Sequence, residues 1–209
     1  MRTMMVCALA LVIAVGGWYG WTAYESGQET KFAAQVVQSS AVQTERQLRA
    51  RGEDGITFAE YFKRGAATVE ALDQSITGLD TRTWDHKPTD RDVVVAFIEQ
   101  CKASIRSDLA VAHLIMEGNN ARESTDSAKK EFDDADSSVA REWANKRFQR
   151  VSSELIEILK KQIDVVKEST NKTKRLLAAD ESVKSKFGES NGLSKDMLDT
   201  LKKRIATEG

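Results

Sequence analysis

The chain has 209 residues, of which 41% are hydrophobic, 7% aromatic and 30% charged, with a single proline, Pro88. That length holds one ordinary domain plus a targeting segment, and the lack of proline, which breaks helix interiors, favours long uninterrupted helices. A formal net charge of -1 leaves no basic excess to neutralise phosphates, so nucleic acid is not an expected partner.

Residues 3–24 carry no charge. As a helix they reach roughly 33 Å at ~1.5 Å per residue, against a bilayer hydrocarbon core of ~30 Å. Met4 to Val15 is the most apolar part, and Trp18, Tyr19, Trp21 and Tyr24 follow it. Each of these rings joins an apolar body to a hydrogen-bonding tip, so the four predict a membrane-interface belt where the helix leaves the bilayer. The lipid bilayer is therefore the expected partner of residues 3–24. Arg2 precedes the segment, and Glu25 and Glu29 follow it. This charge order puts the N-terminus in the cytoplasm and the domain outside, in the periplasm if the cell is bacterial. A cleaved signal peptide is the alternative, with small residues in Ala14-Val15-Gly16 at the positions a signal peptidase reads. Cleavage there leaves an apolar start, Gly17-Trp18-Tyr19-Gly20-Trp21, which favours a retained anchor. Too little apolar sequence precedes Cys7 for a lipid attachment site.

From Glu25 to about Arg51 the sequence reads as a helix with a thin stripe of Phe32, Val36, Val37 and Leu48, ended by Gly52-Glu53-Asp54-Gly55. So few large apolar residues predict a stalk that packs incompletely or pairs with another chain. Thr57 and Glu60 form a capping box. Phe58, Phe62, Ala66, Val69, Leu72, Ile76 and Leu79 then recur at steps of three and four, the apolar face of a second helix. Residues 80–88 are the clearest loop. Thr89 with Asp92 predicts the cap of a third helix, whose face runs from Val94 to Met116 and whose end is marked by Gly118-Asn119-Asn120.

From Ala121 to Ala179 one heptad-like seam passes through Ala128, Phe132, Ala135, Val139, Trp143, Val151, Leu155, Ile158, Val165 and Leu176. The seam weakens around Asp133–Ser138, leaving either one long helix or a break near Asp136. After a loop at Phe187–Gly192, Ser194 caps a short last helix, with Leu193 and Leu198 at staple spacing. The expected fold is all-α: an N-terminal transmembrane helix, then an antiparallel helical bundle with one long coiled-coil-like helix. Its divisions are residues 1–24, 25–55, 56–182 and 183–209.

Chemistry-bearing patterns are sparse. His113 and Glu117 stand one helical turn apart, yet no HExxH motif accompanies them, and a metal site needs more ligands. Met116 near His113 would suggest haem, but no CxxCH occurs. The run from Glu131 to Asp136 lacks the spacing and turn glycine of a calcium loop, so a solvated helix face accounts for it. Asn171-Lys172-Thr173 matches a glycosylation sequon in a helical setting. Cys101 reads as a small core residue. The loop Trp84, Asp85, His86 is the best candidate for binding a partner or ligand, since it puts a bulky ring and an imidazole among carboxylates. Its structural alternative is a tryptophan folded back over the bundle end. No catalytic, cofactor-binding or metal residue is assigned. The expectation is a non-enzymatic, membrane-anchored interaction or scaffold protein that binds a protein partner or itself. A ligand-sensing bundle acting through a partner, or a secreted binding module, is the alternative.

Overall fold

Caps, apolar spacing and one proline divide the chain into five helices: α1 (Arg2–Ala50), α2 (Phe58–Asp80), α3 (Pro88–Asp133), α4 (Ser138–Phe187) and α5 (Lys195–Glu208). This computed structural model describes the backbone of residues 2–208 and the side chains of residues 23–207, with no strand among them. Among the described residues no helix is long and apolar enough to cross a membrane. The predicted anchor lies largely outside the described side chains, as do the belt residues Trp18, Tyr19 and Trp21; Tyr24 is described and exposed.

The antiparallel pair α3–α4 is the frame of the molecule. It stays in register from Asp90–Lys186 at one end, through Ser104–Lys172 and Leu114–Gln162, to Glu131–Arg147 at the other. Only part of its length is covered by other helices. Alongside residues 90–112, α1 packs parallel to α3, with Thr30 beside Asp90 and Arg51 beside Asp108. On the same stretch α2 runs antiparallel to α3, from Tyr61 beside Asp108 to Asp80 beside Arg91. Val37, Leu72, Leu79, Val94, Phe97, Ile98, Ile105, Leu176, Val183 and Leu201 form one core there. Each large side chain so buried contributes ~1.5–3 kcal/mol. Beyond about Gly118 the two long helices continue alone as an arm, burying only small or medium residues such as Ala128, Ala144 and Val151.

Four expectations need correction. The stretch read as a stalk, residues 25–55, is a core helix up to Ala50: Ala33, Val37, Ser40, Ala41, Thr44 and Leu48 are all buried. Its stripe looked thin because small residues fill it, and small residues allow close approach rather than weak packing. Next, α3 does not end at Gly118. That glycine is buried within the helix, and a Cβ there would lie 2.6 Å from Nε2 of Gln162. It marks a close helix approach, not a left-handed cap.

The third correction concerns the seam through residues 121–179 and not the break: of the two expected alternatives, one long helix or a break near Asp136, the break is found. The break falls at residues 134–137, where Ser137 caps α4 by accepting the N–H of Ala140 at 3.2 Å. Aspartate and serine there compete for backbone groups and so favour a turn. Because the chain reverses, Val139 and Trp143 do not continue a seam with Phe132; they point outward, 65% and 71% exposed. Finally, Thr89 and Asp92 do not cap α3. The helix begins at Pro88, whose missing N–H and fixed φ suit the first helical position.

The Thr57 cap of α2 and the Ser194 cap of α5 are present, accepting the N–H groups of Glu60 at 3.2 Å and Met197 at 3.3 Å. Inside α4, Asp180 accepts the N–H of Leu193 at 2.6 Å and pairs with Lys184 at 2.7 Å. This clasp holds the 188–194 loop back along α4, so α5 returns along the bundle until Arg204 reaches Asp108.

Candidate functional site

The α2–α3 loop, with Trp84, Asp85 and His86, closes one end of the bundle. Thr81 ends α2, and helix ends leave carbonyls without partners. The Trp84 indole N–H donates to a carbonyl of that last turn, Leu79, at 2.8 Å, beside the backbone N–H of Arg82. Its ring rests on Phe32 with centroids 6.2 Å apart. Trp84 thus folds back onto the core, the structural alternative foreseen for it.

The helix start on the other side of the loop is served from α1. Glu29, only 6% exposed, accepts the backbone N–H of Lys87 at 2.7 Å and lies 3.3 Å from that of His86. Since Lys87 provides no side-chain cap of its own, a carboxylate from another helix takes that role, where the α3 dipole favours negative charge. Nε2 of His86 meets Glu25 at 3.1 Å, while Asp85 stays exposed. A hollow of about 220 Å³ lies among Glu25, Gln28, Glu29, Arg82, Asp85 and His86. The structure brings Asp85 and His86 to this hollow and turns Trp84 away from it. What the loop residues mainly do is join α1 to the α2–α3 corner. Glu25 and Glu29 were legible only as charges following an apolar segment.

At the opposite bundle end lies a cluster that sequence spacing did not reveal. Asp108 is 1% exposed. Its Oδ1 receives Arg51 at 2.9 Å and Arg204 at 3.0 Å, and its Oδ2 receives the Tyr61 hydroxyl. Burial first, then the neighbouring Asp108 carboxylate, hold the Tyr61 phenol well above its ordinary pKa. One carboxylate therefore ties together the end of α1, the start of α2, the middle of α3 and the end of α5. Its partners lie 57, 47 and 96 residues away, which is why no local pattern exposes it.

The other candidates stay apart from both ends. His113 is exposed beside Phe62, at 6.1 Å between ring centroids, with its Nδ1 3.6 Å from Glu117. Among the described residues no three His, Cys, Asp or Glu side chains converge as a metal site. Cys101 is fully buried, and burial pushes its thiol pKa up to about 12. Along α4, Val139 and Trp143 on the arm, and Ile156 and Ile163 nearer the bundle, are each more than half exposed. Comparison with protein-family models, with curated proteins and with solved structures finds no match to this chain.

Proposed function

We propose that the chain is a non-enzymatic interaction or scaffold protein, anchored in a membrane by residues 3–24, with its bundle on the extracytoplasmic side. In a bacterial cell that side is the periplasm. One observation carries the reading: the α3–α4 pair extends past the bundle as an arm that exposes Val139 and Trp143 near the start of α4. Val139 and Trp143 stand four residues apart, so they share one side of α4. An exposed Trp beside a second apolar side chain suits a contact surface, since Trp is enriched where partners meet.

A photo-reactive residue at position 143 of the full-length chain, irradiated in native membranes, tests this. A discrete adduct is expected, and its mass separates a second copy of the chain from another protein. Val139→Asp should diminish that adduct. Absence of any adduct from position 143, with the protein folded and membrane-associated, would overturn the interaction role of the arm. Sequencing the mature N-terminus tests the anchor independently, since a start at Gly17 would make the protein a secreted module.

A further inference from the structure

We draw no further inference here: the strongest candidate, the apolar groove at the root of the arm, lined by Val111, Leu114, Ile115, Gln162 and Val166 where α1 ends at Arg51, carries nothing because nothing in the structure shows what covers it.

Discussion

Three helical glycines differ only in what surrounds the missing methyl, and this sets the sign of replacing each. Alanine is favoured over glycine in a helix interior by ~1 kcal/mol. Around Gly78 a new Cβ meets nothing within 4 Å, so Gly78→Ala should stabilise the protein by about 0.5–1 kcal/mol. At Gly118 the Cβ displaces the amide of Gln162, which donates to the Leu114 carbonyl at 2.6 Å. That amide ends a flexible side chain, so about 1 kcal/mol of hydrogen bond is exchanged for about 1 kcal/mol of propensity, leaving stability nearly unchanged. Gly65 is different. Its Cβ would lie 2.6 and 2.8 Å from the two methyls of Leu109 and 3.1 Å from Gln47, inside the packed bundle. Overpacking of this kind costs about 1–3 kcal/mol and outweighs propensity. Urea unfolding should therefore rank Gly78→Ala above the parent, Gly118→Ala level with it and Gly65→Ala below it; any other order contradicts the packing described. Cys101 makes a pH-dependent case. Burial raises its pKa from 9.0 to about 12, so above pH 9 the unfolded chain loses a thiol proton that the folded chain keeps. Its contribution to stability is complete below that pH and is lost as pH rises further. Replacing Cys101 by alanine should flatten the alkaline decline in stability measured above pH 9, and an unchanged slope would rule out this thiol as its source.

Helices became legible from sequence in proportion to the size of the residues they bury. α2 was readable because Leu72, Leu79 and their neighbours are large and regularly spaced, and its Thr57 cap is local. α1 was misread because Ala33, Ser40, Ala41 and Thr44 bury as completely as leucines do while carrying little hydrophobic signal. The end of α3 was misplaced because a glycine needed for close packing looks the same in sequence as one needed for a cap. The candidate site divides in the same way. Trp84 and His86 stood out by residue type, whereas Glu29 acts on a backbone 58 residues away, a relation only the fold creates. The arm has a consequence of its own for dynamics. Between about residues 120 and 157 the α3–α4 pair packs through Ala128, Ala144 and Val151 with no covering helix. Local opening needs less free energy where few apolar contacts are broken. Amides there should exchange with solvent about tenfold or more faster than those at residues 94–112 and 169–183, as read by hydrogen-exchange mass spectrometry. Uniform protection along α3 would show that the arm is covered in solution, for instance by a second chain.

At the scale of the whole molecule, the two ends of the bundle face opposite ways. The early residues of α1 sit at the end formed by the α2–α3 loop and the last turns of α4, with Thr30 and Lys186 both on Asp90. The arm leaves from the other end, past the Asp108 cluster. From Asp90 to Asp133 α3 continues without a break, which corresponds to roughly 65 Å at ~1.5 Å per residue. An anchor at residues 3–24 would therefore hold the α2–α3 loop next to the lipid head groups and carry the α3–α4 turn far into the aqueous space. This geometry assigns different surroundings to groups that sequence alone would treat alike. Glu25, Glu29 and His86 would lie in the interfacial layer, and Trp143, although highly exposed, would lie beyond the reach of lipid. Fluorophores attached at Thr83 and at Ser138, in full-length protein reconstituted in vesicles with nitroxide-labelled head groups, distinguish the two ends. Quenching is expected at position 83 and not at position 138. Equal quenching would mean that the arm lies along the membrane, and quenching at neither site would mean that residues 3–24 do not hold the bundle at the bilayer surface.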